Sequence, residues 1–431
     1  MTQTPEAVDV LIWLPGATDP VLAGEIRRDW RCLTFTYDRA YLTRGQVIAI
    51  CARDLKLAFR GHYPRAPHVL APALRDTLPD RWGRRAVSVL LSDAGGEPIL
   101  EDALDEMQVM LRTGPDRIGA LEFRAQGGHL LSPPSDASLE ELMALADCIE
   151  EGRQIPPSLV PLVPACASVG GARPKALFTD EARQRKLIAK FSAPADSYPV
   201  VRGEFVAMRL AKLAGIDAAP VEIRQLGEGA DKRAALLVER FDRVRQDSGA
   251  WARRLVVSAL SWTGESELSA HHISYAQLAG HIEDSFERGR AAQREMFTRL
   301  VFNVLVGNTD DHARNHAAFW NGDTRELTPA YDIAPQRRAS REANQAMTLA
   351  NGTRAAQLQN VAAIAPDFGV SRAQFRQIVE HLVGTTLAHW SEVCDEAGLS
   401  RAEQVDFAGR QFLNEYAFDG YGPVPHLFAR G

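Results

Sequence analysis

The chain has 431 residues, of which 45% are hydrophobic and 24% charged, and its formal net charge is −6. This length is enough for more than one core, so we expect two or three subdomains. The mild negative charge excludes a protein that coats nucleic acid through its own bulk charge. The five cysteines form no CxxC pair, which argues against a disulfide framework or a zinc site.

The first residues carry no recognisable secretory leader, and the longest apolar runs are too short to cross a bilayer. We therefore expect a cytoplasmic protein without a membrane segment. Scattered cysteines are typical of small buried side chains in a reducing compartment.

Residues 1–125 are predicted to form a small α+β subdomain. Apolar and alternating patterns predict strands over residues 8–14 and 33–37. Helical spacing runs over residues 72–91, where Pro79 should divide it into two short helices. The stretch 126–138, rich in Gly, Ser and Pro, is the best candidate for a linker.

Residues 139–245 follow with a mixed pattern. We predict a helix over 139–151, a hairpin of strands 176–178 and 187–191 with the charged turn 180–186, an amphipathic helix over 204–213, and a buried strand over 235–238. Residues 246–431 read as mostly helical, notably at 290–306, 372–383 and 401–416. The fold predicted is α+β, a two-lobed protein-kinase-like architecture with an all-helical C-terminal lobe.

The segment GNTDDHARN at residues 307–315 carries the strongest chemistry. Asp310 and Asn315 are five positions apart, and Asp332 follows seventeen positions after Asn315. A kinase-like catalytic loop needs one Asp to accept a hydroxyl proton, with an Asn and a second Asp to hold Mg²⁺ against ATP phosphates. Oxygen ligands alone suit Mg²⁺ and not zinc. His312 and His316 are four apart, a spacing that we regard as incidental to metal binding.

Two further features are weaker taken singly. Adjacent glycines, Gly170 and Gly171, lie just before a predicted strand, where backbone amides can approach phosphates; a plain turn is the alternative. Lys190 ends the second hairpin strand, and Glu204 on the next helix is its natural partner; a solvated lysine is the alternative. Their order along the chain favours a nucleotide site.

The segment ERFDR at residues 239–243 follows a predicted strand, where the hinge between two lobes should fall. Backbone groups of Glu239 and Phe241 are candidates to bind an adenine edge. The alternative is a strand end carrying a surface charge cluster.

These residues resemble the HipA family of bacterial serine/threonine kinase toxins. The resemblance is carried, in order, by SVGGA at 168–172, IAK at 188–190, VERFDR at 238–243, GNTDDHARN at 307–315 and YD at 331–332, with TFTYD at 34–38 and LRDTLPD at 74–80 in the N-terminal subdomain. It covers nearly the whole chain. Asp311 departs from the family pattern, in which a glycine is common at that position.

The resemblance implies roles for individual residues. Asp310 would be the catalytic base, Asn315 and Asp332 would hold Mg²⁺, and Ser168 would be the site of inactivating autophosphorylation. The contacts to ATP would come from Val169, Gly170, Gly171, Ala172, Lys190, Glu239, Phe241 and His312. The family also implies partners: a small helix-turn-helix antitoxin, DNA reached through that antitoxin, and an aminoacyl-tRNA synthetase as protein substrate.

Two other functions remain open at this point. A small-molecule kinase of the aminoglycoside or choline type uses a similar Asp, Asn and Asp set. A catalytically silent corepressor that binds an antitoxin is the second, although it would be expected to have lost one of Asp310, Asn315, Asp332 or Lys190.

Overall fold

The computed structural model describes residues 5–93, 100–130, 137–193, 195–228 and 232–427. Contacts divide the chain into two compact units. Unit 1 comprises Met1–Ala193, Gln225–Val257 and Phe319–Asp323, and unit 2 comprises Pro194–Arg224, Ser258–Ala318 and Thr324–Gly431. Residues 131–136 of the predicted linker lie outside the described residues, and the three predicted domains remain a prediction.

The elements described fall into two groups. The strands are β1 Ala7–Ile12, β2 Val21–Asp29, β3 Cys32–Tyr37, β4 Gly61–His62, β5 Leu121–Ala125, β6 Lys175–Asp180, β7 Arg185–Phe191, β8 Val221–Leu226, β9 Arg233–Glu239, β10 Arg243–Arg245, β11 Trp251–Arg253, β12 Leu255–Ser258, β13 Ala317–Trp320 and β14 Arg325–Leu327. The α-helices are α1 Arg39–Leu42, α2 Pro72–Arg75, α3 Arg81–Asp93, α4 Glu106–Arg112, α5 Leu139–Glu151, α6 Val163–Ala167, α7 Val200–Leu213, α8 Ala259–Thr263, α9 Tyr275–Ser285, α10 Gly289–Val306, α11 Leu358–Ile364, α12 Arg372–Glu396, α13 Arg401–Phe407 and α14 Glu415–Phe418.

Unit 1 begins with a five-stranded antiparallel sheet in the order β4-β3-β2-β1-β5. β1 is buried along its whole length, which explains its nearly continuous apolar sequence. The two strands predicted here and the division of the helical stretch at Pro79 are confirmed. Strands β2 and β5 were not predicted, because their charged residues interrupt the apolar pattern.

A second antiparallel sheet of unit 1 carries the predicted hairpin. β6 pairs with β7, and β7 pairs with β9, in a register that sets Lys190 opposite Lys175 on one side and Leu236 on the other. Helices α3, α5 and α6 share a buried core with these strands. α5 begins at Ser138, whose side chain forms a capping box with Glu141, so the predicted helix over 139–151 is confirmed.

Unit 2 is built around the long helices α10 and α12. Phe297 of α10 lies 5.9 Å from Phe375 of α12, measured between ring centroids, and 5.3 Å from Phe368. The predicted helix over 290–306 is confirmed, and the one predicted over 372–383 continues to Glu396. None of the helices among the described residues is long and apolar enough to span a membrane.

Two predictions for the C-terminal region need correction. The α+β class is confirmed, but the region after residue 246 is not all helical, since β11 to β14 lie in it. The helix predicted over 401–416 is instead α13 and α14, separated by an irregular segment. Gly409 and Leu413 have positive φ angles of 75° and 52° there, a conformation that ends a right-handed helix.

Candidate active site

The candidate catalytic loop starts where α10 ends. Gly307 caps the helix with a left-handed backbone at φ 70°, and its N–H donates to the carbonyls of Asn303 and Val304. A Cβ at this position would lie 2.7 Å from the carbonyl oxygen of Gln411, so only glycine fits. The loop therefore leaves the helix in a fixed direction.

The loop closes on the backbone carbonyl of Asp310. That oxygen accepts hydrogen bonds from the His312 N–H at 2.9 Å and from Nδ2 of Asn315 at 3.2 Å. The second bond uses the NH₂ group of the Asn315 amide as the donor. The amide oxygen takes no part in this bond and is the atom that could serve as a metal ligand. Asn315 is buried, whereas Asp310 is exposed.

Asp311 is an anchor beneath this loop. Its carboxylate is buried, accepts a 2.6 Å hydrogen bond from the hydroxyl of Tyr275, and lies 3.0 Å from Nε2 of His316. Burial raises the pKa of Asp311, but His316 and the hydrogen bonds outweigh it, so the pKa is lowered overall. The departure from the family pattern at this position thus has a structural use.

Asp332 lies on a segment tied to the same loop. The preceding Ala330 forms a bridge to Ala218, and the hydroxyl of Tyr331 donates to the carbonyl oxygen of Arg314 at 2.6 Å. Asp332 itself has a left-handed backbone at φ 57°. A non-glycine residue rarely holds that conformation unless its surroundings require it, and such strain is frequent at functional sites.

The two acidic groups of this site influence each other. The pKa of the Asp310 carboxyl is raised. The largest cause is the surrounding protein, which partly removes water from this carboxyl although the residue is exposed, and the charge of Asp332 raises the pKa further. His312 opposes this effect. The carboxylates of Asp310 and Asp332 and the amide oxygen of Asn315 are oxygen donors, which is the kind of ligand that Mg²⁺ prefers. The residues present therefore fit the metal that the family implies.

The glycine turn of unit 1 is held against the N-terminal subdomain. The carbonyl of Gly171 accepts from the Trp82 N–H at 2.9 Å, and Gly171 has a positive φ of 112°. A Cβ on Gly170 would lie 2.8 Å from a carboxylate oxygen of Asp80. The backbone conformation therefore favours glycine at position 171, whereas a side chain at position 170 would require the carboxylate of Asp80 to move.

Ser168 is buried at the start of this turn, with 4% of its surface exposed. Its hydroxyl donates to the carbonyl of Pro164 at 2.6 Å and accepts from the N–H of Gly114 at 2.8 Å. The hydroxyl is therefore enclosed by protein and not presented to solvent.

The ERFDR segment is not a surface charge cluster. Arg240 and Asp242 are buried, and Arg240 contacts both Asp242 at 2.9 Å and Asp116 at 3.1 Å. Arg243 contacts the same two carboxylates. The alternative considered for this segment is therefore wrong, while the proposed adenine contacts of Glu239 and Phe241 stay a prediction.

The predicted residues divide between the units. Unit 1 holds Ser168, Val169, Gly170, Gly171, Ala172, Lys190, Glu239 and Phe241; unit 2 holds Glu204, Asp310, His312, Asn315 and Asp332. Gly114, Asp116 and Tyr275 carry no local motif, so the sequence gives no signal for their contacts. Arg240 and Asp242 belong to the ERFDR segment, but its sequence does not indicate that they are buried.

Comparison with a solved structure gives the class of fold. The Shewanella oneidensis toxin-antitoxin complex of HipA, HipB and operator DNA contains a chain that is similar with a TM-score of 0.67 and 21% identity, over 92% of this chain and 93% of that chain. This chain thus shares the α+β fold of that chain.

The family follows from two domain matches. The HipA-like C-terminal domain matches residues 167–390, and the HipA N-terminal domain matches residues 13–124. The chain belongs to the HipA family.

Curated relatives agree with this assignment. A "Serine/threonine-protein kinase toxin HipA" of Shewanella oneidensis is 32% identical over 151 residues, 31% of this chain and 34% of that protein. A "Putative kinase" of Haemophilus influenzae is 29% identical over 144 residues, 32% of this chain and 42% of that protein. The similarity thus spans between a third and a half of the length of these relatives.

Proposed function

We propose that this chain is an ATP-dependent protein serine/threonine kinase that acts as the toxin of a toxin-antitoxin pair. The observation that supports the proposal is the turn of unit 2 in which Asn315 bonds the carbonyl of Asp310, with the segment of Asp332 tied to it through Tyr331 and Arg314, in a member of the HipA family. The name of the Shewanella oneidensis relative supports the same activity.

Asp310 acts as the catalytic base. The carboxylate accepts the proton of a serine or threonine hydroxyl while the hydroxyl oxygen attacks the γ-phosphorus, and the bond from that phosphorus to the bridging oxygen of ADP breaks. The raised pKa of Asp310 makes it a better proton acceptor than an ordinary aspartate. Asp311 and Tyr275 hold the turn that presents it.

Asn315 and Asp332 would hold Mg²⁺, which would neutralise negative charge on the ATP phosphates. The hydrogen bond from Asn315 to the Asp310 carbonyl orients one ligand. The bond from Tyr331 to Arg314 restrains the segment that carries the other.

The family resemblance supplies the remaining contacts to ATP. Backbone amides of the turn 169–172 approach the phosphates, and the ammonium of Lys190 pairs with them. Backbone groups of Glu239 and Phe241 bind the adenine edge, and His312 contacts the nucleotide.

Ser168 is the autophosphorylation site that silences the enzyme. Its enclosure between Pro164 and Gly114 means that the segment must open before the hydroxyl can react. A phosphate with a charge of about −2 would then repel the phosphates of ATP and prevent the turn from returning.

The solved complex of HipA with HipB and operator DNA supports an antitoxin partner. A small helix-turn-helix antitoxin neutralises the toxin in the cytoplasm and connects it to DNA. The protein substrate is an aminoacyl-tRNA synthetase, whose phosphorylation arrests growth.

Phosphate transfer from labelled Mg-ATP into bacterial extract tests the proposal, with growth measured in parallel. Asp310→Asn should lose both transfer, by roughly 10²–10⁴-fold, and growth arrest, because the base is removed. The exposed Asp323→Asn serves as the matched control and should behave as wild type. Toxicity that persists in Asp310→Asn would overturn the proposal. Label found only in dialysable molecules would indicate a small-molecule kinase, and no transfer by wild type would indicate a silent corepressor.

A further inference from the structure

Unit 1 contains a cavity of about 210 Å³ whose lining includes Ser168 but none of the residues proposed to bind ATP or Mg²⁺. Among the described residues it is bounded by the segment 114–116, helices α5 and α6, and the β6–β7 hairpin. An apolar cavity of roughly 150 Å³ is already enough to bind benzene. This cavity is therefore large enough for a molecule built on a single ring.

The walls of the cavity differ in chemistry. The lining includes apolar residues, among them Leu142, Ala165 and Leu177, and polar ones, Thr179, Lys186 and Asp116. Glu181 also lines the cavity but is exposed, so water screens its charge. Such a combination suits a ligand with an apolar body and one polar end.

The ammonium of Lys186 is incompletely paired. It donates to the hydroxyl oxygen of Thr179 at 2.8 Å, whereas the nearest carboxylate oxygen, of Asp116, is 3.9 Å away and beyond hydrogen-bonding distance. An ammonium has three donors, and only 16% of this side chain is exposed to solvent. Burial lowers the pKa of Lys186, against the opposing charge of Asp116.

The carboxylate of Asp116 also lines the cavity, but it is already engaged by two arginines. Asp116 already accepts from Arg243 at 2.8 Å and lies 3.1 Å from Arg240. The ion pairs that include Lys186 join three cations, Lys186, Arg240 and Arg243, to two carboxylates, Asp116 and Asp242, which leaves an excess of one positive charge. A buried positive excess is costly, so the cavity favours an anion.

We propose that this cavity binds a small molecule with a ring-sized apolar body and one carboxylate or phosphate group. The anionic oxygens accept from the ammonium of Lys186 and the hydroxyl of Thr179, and the body packs on Leu142, Ala165 and Leu177. Because Ser168 lines the same cavity, an occupant also restrains the segment that must open for autophosphorylation. That last consequence rests on the proposed kinase function, whereas the binding does not.

Calorimetric titration of the full chain tests the site, using protein whose intact mass shows no phosphate on Ser168. Phenyl phosphate and benzoate are the probes, benzyl alcohol is the neutral counterpart, and inorganic phosphate lacks the ring. At least one anionic ring probe should bind saturably, and both counterparts at least tenfold more weakly. The tighter of the two probes distinguishes a phosphate ligand from a carboxylate ligand.

Variants connect that binding to the cavity. Lys186→Met should weaken it by about tenfold or more, because a charged hydrogen bond is lost. Ala165→Phe, which fills the cavity and leaves the ions intact, should abolish it. Exposed Lys232→Met is the matched control and should bind as wild type. If Lys186→Met fails to fold, as judged by circular dichroism, Ala165→Phe still tests whether the probes bind in this cavity.

Two outcomes overturn the proposal: no saturable binding of either ring probe up to about 10 mM, or binding that survives Ala165→Phe. The titration needs no ATP, and Asp310→Asn should bind the probes as wild type does. Failure of the kinase proposal would therefore leave this result unchanged, and the reverse also holds.

Discussion

The hydroxyl of Tyr275 donates a 2.6 Å hydrogen bond to the buried carboxylate of Asp311, across 36 positions of sequence. This bond joins the start of α9 to the turn that follows α10. Its removal leaves a buried charge with one donor fewer, which costs more than an exposed bond. The position of the neighbouring Asp310 thus depends on a residue that has no part in the chemistry.

Tyr275→Phe should lower the free energy of unfolding by about 1–3 kcal/mol, because Asp311 loses a buried donor while the ring is kept. Phosphate transfer should fall with it, since the turn that carries Asp310 loosens. Urea unfolding checks the first effect and a kinase assay the second. Tyr63→Phe, at an exposed tyrosine of unit 1, is the control and should change neither. Equal stability of Tyr275→Phe and wild type would contradict the assignment.

Asp116→Asn tests the ionic cluster of unit 1 through pH. Burial raises the pKa of Asp116, but Arg240 and Arg243 outweigh it and hold the pKa well below its usual range. A lowered folded-state pKa means that the stabilisation is complete above the unfolded value of about 3.9 and is lost as pH falls below it.

Near neutral pH this variant should therefore be about 3–5 kcal/mol less stable than wild type, as expected when one partner of a buried pair is removed. The difference should shrink below about pH 4, where the wild type begins to lose the same interaction. Urea unfolding across pH measures it, and the exposed Asp102→Asn should show almost no difference at any pH. A difference in unfolding free energy between Asp116→Asn and wild type that stays constant down to pH 2 would contradict a stabilising role for the ionised Asp116.

Gly171→Ala should destabilise the chain by about 1–3 kcal/mol, because φ of 112° strains any L side chain. The added Cβ would also fall 2.2 Å from the ammonium of Lys175, so this side chain must move. We expect slower phosphate transfer with a raised KM for ATP. Gly16→Ala, at φ 78° with no atom within 4 Å of the Cβ, controls for positive φ alone and should leave the KM unchanged.

Ser168→Ala should prevent the addition of one phosphate during incubation with Mg-ATP, which intact-mass spectrometry detects. The variant also loses the hydrogen bonds to Pro164 and Gly114, at a cost of about 0.5–1.5 kcal/mol. Since it cannot be silenced, its kinase activity should persist where that of wild type declines. Ser192→Ala, at another hydrogen-bonded serine of unit 1, should still gain the phosphate. A wild type that stays unmodified would contradict the mechanism.

Local features of the sequence determined much of the architecture. The apolar spacing of α10 and the glycine that ends it predicted the helix and the start of the loop correctly, because both act within a few residues. Local patterns also predicted α5, α7 and the β6–β7 hairpin correctly. Predictions failed at α13 and α14, where continuous helical spacing concealed a break that contacts between distant residues fix. The 2.7 Å bond from the Leu413 N–H to the Leu305 carbonyl is one of them.

By itself, the sequence determined the identity and order of the acidic and amide groups, from Asp310 and Asn315 to Asp332. It could not determine that Asp311 is an anchor, that Ser168 is enclosed by Gly114, or that Arg240 and Asp242 are buried with Asp116. Each of these pairings joins positions tens to more than a hundred residues apart. Only the tertiary structure decided them, because burial and charge pairing depend on which distant groups meet and not on the residues beside them.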